Sequence, residues 1–144
     1  MTVKANQIWK ADTSSKMELP LANASVQAGF PSPAHDFSES SLDLNSYVIR
    51  HPSATFFVRV QGESMREAGI FDGDILVVDK AIEPHDGSIV IACLEDEFTV
   101  KRFQKKDGRC ALVAENPDFA PIIIDGDMTL QIFGVVTHCI HSLI

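Results

Sequence analysis

The sequence predicts a mainly β domain of the sandwich or barrel-like kind, preceded by an extended N-terminal arm. Short runs rich in β-branched and aromatic residues, the types that favour strands, recur through the second half of the chain. Turn chemistry separates them, such as DGD at 72–74, HDG at 85–87 and KKDG at 105–108. Helical periodicity is nearly absent, apart from the short candidate LDLNSYVI at 42–49. The seven predicted strands are TFFVRV, DILVVD, SIVIACL, EFTVKRF, CALVAE, PIIID and LQIFGVVTHCI.

Residues 1–41 differ from the rest of the chain and predict the arm. They include ELPLANASVQAGFPSPAHDFSESS, which contains three prolines among many small or polar residues. Such a segment buries too little apolar area to offset the entropy lost when it becomes ordered. The sequence therefore predicts a flexible arm over residues 1–41 and a β-rich domain over residues 42–144.

The charge of the chain indicates whether it binds nucleic acid directly. The formal net charge of the 144-residue chain is −8, and no basic block exceeds Lys105 and Lys106 with Arg109 nearby. A molecule of this charge repels phosphate, so direct sequence-specific DNA binding is not expected.

The cysteine spacing and the hydropathy of the chain indicate its redox environment and whether it spans a membrane. Three cysteines without a repeating spacing argue against a disulfide framework. THCIH at 137–141 invites a metal site, but strand alternation places Cys139 on the opposite face from His138, so neither a metal nor another cofactor is expected. No apolar run approaches the roughly 18 residues of a membrane span. We therefore expect a reduced, cytoplasmic protein without membrane attachment.

Ser64 lies where a predicted strand breaks into a short turn, in the stretch QGESMREAG. SMRE fits a capping box, with Ser64 as helix N-cap and Glu67 closing it, and Gly69 would end the turn. The same position suits a nucleophile, because nearby backbone N–H groups point to where an oxyanion would form. Gly62 allows the close backbone approach that such a turn requires. The residues alone leave both interpretations open.

A nucleophilic serine needs a base, and Lys101 in EFTVKRF is the candidate. Alternation places Thr99, Lys101 and Phe103 on one face of the predicted strand. A lysine that faces an apolar interior loses its charge readily and can act as a general base, as in Ser-Lys variants of the catalytic triad. The alternative is a solvated lysine on a sheet edge, which periodicity favours equally.

Four stretches together resemble the UmuD family, the self-cleaving accessory subunits of translesion DNA polymerases, related to the peptidase domain of LexA-type repressors. They are GFPSPAHDF, HPSATFFVRVQGESMREAGIFDGDILVVD, GSIVIACLEDEFTVKRF and DMTLQIFGVVTH. The resemblance runs from about residue 26 to about residue 138 and is specific, because it extends over many segments. With only 28 residues before the implied cut, a repressor with its own DNA-binding domain is not expected.

The resemblance implies a role for each matching position. Ser64 matches the nucleophile of the family's G-[ED]-S-M motif, and Lys101 matches the general base. The scissile bond precedes the glycine of GFPSP, which places it between Ala28 and Gly29. Backbone N–H groups around Glu63 and Ser64 are then expected to bind the oxyanion.

The resemblance also implies partners. It predicts a homodimer, cleavage stimulated by a filament of RecA on single-stranded DNA during the SOS response to DNA damage, and a processed form that joins a UmuC-like Y-family polymerase. Two other classes remain open. One is a Ser-Lys peptidase that processes other proteins, and the other is a non-catalytic β-domain binding module in which Ser64 is only a cap.

Overall fold

A computed structural model describes residues 8–22, 39–126 and 128–144, and its main feature is an antiparallel sheet of eight strands. In chain order the strands are β1 (Ile8–Lys10), β2 (Glu18–Ala22), β3 (Glu39–Asp43), β4 (Thr55–Arg59), β5 (Ile75–Asp79), β6 (Ile89–Leu94), β7 (Glu97–Lys106), β8 (Arg109–Val113), β9 (Ile122–Ile124) and β10 (Leu130–Ile140). The main sheet has the order β1-β4-β5-β10-β6-β7-β8-β9, and β2 pairs with β3 separately. The mainly β prediction is confirmed, and each of the seven predicted runs forms a strand.

The core consists of two hydrophobic clusters built mainly from the strands, and Met65 and Ile70 of the loop between β4 and β5 join the first of them. The first includes Val58, Leu76 and Ile91, and the second includes Val90 and Leu112. Strand β6 thus contributes neighbouring residues to both clusters, which means that both of its faces are buried.

The predicted short helix is present as α1 (Leu44–Val48). Asp43 caps it, its side chain accepting a hydrogen bond from Ser46 N. No helix within the described ranges is long and apolar enough to cross a bilayer.

The segment predicted as an arm contains strands that the sequence analysis missed. Strand β1 pairs with β4, and Ala11 N donates to Thr55 O at 3.0 Å. Strand β2 pairs with β3, so the predicted boundary between residues 41 and 42 falls inside β3. Strands of three to five residues in a polar, proline-containing context leave little periodic signal, which explains the omission.

Strand β10 lies at the centre of the sheet, between β5 and β6. Its pairing shifts register between Ile132 and Gly134 and again between Val136 and His138. At Gly134 an added Cβ would lie 2.7 Å from Val78 Cγ1 and 3.2 Å from Asp79 O. The two strands therefore lie so close here that a side chain larger than that of glycine would require Val78 to move.

Candidate active site

Ser64 lies in a tight loop between β4 and β5, and the structure buries it fully. Gly62 takes a φ of 102°, a left-handed value that favours glycine, and its N–H donates to Asp72 Oδ1 at 2.8 Å. A short 3-10 helix, Arg66–Ala68, follows the serine and ends at Gly69, whose φ is 79°. The loop is thus fixed on both sides of Ser64.

The geometry around the 3-10 helix gives the cap interpretation little support. Met65 occupies the N-cap position, and no side chain caps this helix. The Glu67 N–H, which a capping box would direct to the Ser64 hydroxyl, instead donates to Glu115 O at 2.8 Å. The predicted stop at Gly69 is confirmed.

Lys101 reaches Ser64 from the other side of the site. It lies on β7, which pairs with both β6 and β8, so the edge-strand alternative for this lysine is wrong. Its side chain points inward and only 6% of the residue is exposed. Lys101 Nζ lies 3.0 Å from Ser64 Oγ, the contact that a serine and its base require.

Two further oxygens hold the amine in place. Lys101 Nζ donates to Thr99 Oγ1 at 3.0 Å and to Val100 O at 3.2 Å. Neighbouring Arg102 turns away and forms an ion pair with Glu115. Of these adjacent cations, only Lys101 therefore faces Ser64.

Burial lowers the pKa of Lys101 below its ordinary value of 10.5. The cause is desolvation, which disfavours the ammonium form. Among the residues that the structure describes, no carboxylate lies within ion-pair distance of Nζ to oppose this effect. A larger share of the lysine is therefore neutral at a given pH than in an exposed lysine, and only the neutral amine can accept a proton from serine.

Asn116 is a site residue that sequence reasoning missed. It is 4% exposed, its Nδ2 donates to Glu63 O at 2.8 Å, and its Oδ1 accepts from Asp118 N at 3.0 Å. Arg66 N also donates to Glu63 O, at 3.3 Å. Since a trans peptide directs its C=O and N–H in opposite directions, fixing this carbonyl also fixes the direction of the Ser64 N–H. ENPD at 115–118 indicates only a turn, so the sequence gives no signal for this role.

The remaining predicted positions fall into two groups. Glu63 and Ser64, expected at the oxyanion site, lie in the fixed loop. Ala28 and Gly29 lie outside the described residues.

Two side chains of the THCIH stretch at 137–141 contact one acidic residue. Cys139 Sγ and His141 Nδ1 both contact the buried Asp74, at 3.2 Å and 2.6 Å. In the described part of the chain, no group of three histidine, cysteine or acidic side chains is suitably placed to hold a metal ion. Cys139 is exposed as a residue, but desolvation of its partly covered thiol, followed by the contact with Asp74, raises the pKa of that thiol to about 12. Cys139 therefore stays protonated near neutral pH.

Comparison with known proteins shows the family of this chain. Residues 20–137 match the family described as Peptidase S24-like. The chain belongs to this family. It is 54% identical to Protein SamA of Salmonella typhimurium over 123 residues. These residues are 85% of this chain and 85% of SamA. The chain is 44% identical over 133 residues to Protein MucA of Escherichia coli, which covers 91% of this chain and 90% of MucA.

A third relative is longer than this chain. The LexA repressor of Bordetella petrii is 39% identical over 132 residues, which are 92% of this chain and 58% of the repressor. The resemblance to the UmuD family is confirmed by these relatives. The chain is therefore a UmuD-type member of a peptidase family.

Proposed function

We propose that this protein is an SOS mutagenesis factor that cuts its own arm between Ala28 and Gly29 with a Ser64–Lys101 dyad. The observation that carries the proposal is the 3.0 Å contact between Lys101 Nζ and Ser64 Oγ in a buried site. The lowered pKa of Lys101 supports the assignment, since a base must be able to exist without its proton.

The reaction is hydrolysis in two steps. Neutral Lys101 takes the proton of Ser64 Oγ, and the oxygen attacks the Ala28 carbonyl carbon. The resulting tetrahedral intermediate collapses when the Gly29 nitrogen leaves with a proton from the Lys101 ammonium, so that residues 1–28 remain esterified to Ser64. Lys101 then deprotonates a water molecule that attacks the ester, and the proton returns to Ser64. The products are a carboxylate at Ala28 and an amine at Gly29.

The oxyanion would be stabilised by backbone N–H groups around Glu63 and Ser64. Asn116 supports this role, because its hydrogen bond to Glu63 O holds the intervening peptide in one orientation. Preorganised donors of this kind commonly contribute about 2.7–4 kcal/mol to the transition state. These N–H groups stabilise the transition state only if they stay fixed while negative charge develops on the oxygen.

The arm is long enough to reach the site. Ala28 and Gly29 lie among the 16 residues, 23–38, that connect β2 to β3, and an extended chain covers roughly 3.3 Å per residue. This length allows the chain to cut its own arm or that of a second copy.

The partners follow from family membership. We propose a cytoplasmic homodimer whose cleavage is promoted by a RecA filament on single-stranded DNA, and whose processed form joins a UmuC-like Y-family polymerase. The net charge of −8 fits a protein that meets DNA through such partners rather than directly.

Incubation of the purified protein with RecA, nucleotide and single-stranded DNA tests the proposal. Intact mass should give the first 28 residues and the remaining 116 of 144, with Gly29 as the new N-terminus. Ser64→Ala and Lys101→Ala should each abolish the cut and leave the thermal transition in place. Cleavage by either variant would overturn the dyad.

The same incubation separates the two other functions. A peptidase that processes other proteins would leave its own chain intact and cut an added protein in a Ser64-dependent manner. A binding module would cut neither.

A further inference from the structure

The arm is attached to the body of the protein by contacts that do not involve the proposed cut. Strand β1 adds to the outer edge of β4, with Trp9 opposite Phe57. Ala11 N donates to Thr55 O at 3.0 Å. All these arm residues precede Ala28, and all their partners follow Gly29.

The same pairing also buries side chains. Ile8 packs against the first hydrophobic cluster, which contains Val58, Val60 and Met65, and Ala11 is 8% exposed. Burying apolar area contributes roughly 25 cal/mol per Å². The strand is thus anchored by its side chains as well as by its backbone.

A second anchor lies seven residues beyond Ile8. Asn45 Nδ2 donates to Ser15 O at 3.2 Å, and Met17 N donates to Asp43 Oδ1 at 3.2 Å. Strand β2 then pairs with β3 along five residues. The residues that connect β2 to β3 include both Ala28 and Gly29, so the cut would open this connection and leave the paired strands on either side.

We propose that residues 1–28 stay bound to the body after cleavage, and that release of the fragment is a separate step that frees the β4 edge. This inference rests on the proposed cut. Hydrolysis adds one water across the Ala28–Gly29 bond and removes none of the contacts described above. Only dissociation of both β1 and β2 breaks all of them.

The freed edge has a defined chemistry. In antiparallel sheets alternate residues bond to opposite neighbours. Val60 N bonds to Asp74 O on the β5 side, whereas Thr55 O bonds to Ala11 N on the β1 side. Loss of β1 therefore leaves the outward N–H and C=O groups of alternate β4 residues unpaired. An extended peptide segment satisfies such groups, and β1 is the segment that does so while the fragment stays bound.

The test uses the full chain as Ser64→Ala, with a recognition site for an added protease inserted between Ala28 and Gly29. After the added protease has cut, native size-exclusion chromatography with mass analysis shows whether the fragment elutes with the body. The single tryptophan of the chain, Trp9, lies in the fragment, so its fluorescence anisotropy reports binding directly. We expect co-elution in a one-to-one ratio and the anisotropy of the uncut protein.

One variant and its control identify β1 as an anchor. Ile8→Asp should detach β1 and lower the Trp9 anisotropy below that of the uncut protein, because it places a charge against the apolar cluster. Thr13→Asp adds the same charge at an exposed position outside the strands and should retain the fragment. If Ile8→Asp fails to fold, Ala11→Pro replaces it, since proline removes the N–H that donates to Thr55 O.

Immediate loss of the fragment from the parent protein would overturn the proposal. An undiminished Trp9 anisotropy in the β1 variants would do the same. Because the added protease makes the cut, failure of self-cleavage in the RecA assay would not change this result.

Discussion

Replacing Lys101 with methionine should stop cleavage without unfolding the protein. Methionine keeps an unbranched side chain in the buried site and removes the amine. Loss of a general base typically costs about 10²–10⁴ in rate. The amine makes three polar contacts, with Ser64, Thr99 and Val100.

The effect on stability combines two opposing terms. Three lost hydrogen bonds cost about 1 kcal/mol each. Against this, the variant no longer buries an amine, a term of about 1–3 kcal/mol for a polar group. The free energy of unfolding should therefore change by no more than about 2 kcal/mol.

The pH dependence of this difference has a definite sign. Because the folded pKa of Lys101 is lowered, the unfolded chain binds more protons than the folded chain between that pKa and 10.5. The wild type therefore loses stability as the pH falls through this window, and Lys101→Met does not. The free energy of unfolding of the variant, relative to that of the wild type, should therefore rise as the pH falls from 10 to neutral.

Chemical denaturation at two pH values measures the change in unfolding free energy and its pH dependence. The RecA cleavage assay measures the loss of cleavage. Lys105→Met is the matched control, because Lys105 lies on the same strand with an exposed side chain. It should cut normally. A Lys101→Met protein that still cuts would refute the assignment of the base, and a relative stability independent of pH would refute the lowered pKa.

Three further expectations concern the site and the sheet. Unassisted cleavage should accelerate from neutral toward alkaline pH, because only neutral Lys101 accepts the serine proton; acceleration on acidification would indicate another base. Asn116→Ala should slow cleavage and reduce the free energy of unfolding by about 1–3 kcal/mol, because it removes the side-chain donor to Glu63 O; unchanged cleavage kinetics would exclude a positioning role. Gly134→Ala should destabilise by about 1–3 kcal/mol in a thermal melt, because its Cβ would lie 2.7 Å from Val78 Cγ1, and an unaltered melt would mean that β10 shifts freely.

The strands could be predicted because each is a local run of β-branched and aromatic residues between turn signals. Alternation places Lys101 and Arg102 on opposite faces but leaves open which of them is buried. The contact of Lys101 with Ser64 could not be predicted from the pattern, since the two lie 37 residues apart in the chain. Family resemblance supplied that pairing. Asn116 escaped notice for the same reason, its partner Glu63 being 53 residues away. Strand β1 escaped because IWK carries too few residues to show a period.

The central place of β10 sets the order in which the site can be assembled. Ser64 follows β4 on one side of the sheet, and Lys101 lies on β7 on the other, while β10 joins the two sides by pairing with both β5 and β6. Strand β10 comprises residues 130–140, so the ribosome synthesises it after strands β1 to β9. A ribosome-bound chain that lacks them has no strand to join the two sides. Serine and base should thus meet only after translation has passed β10, and a chain arrested before residue 130 should remain uncut under conditions that activate the complete protein.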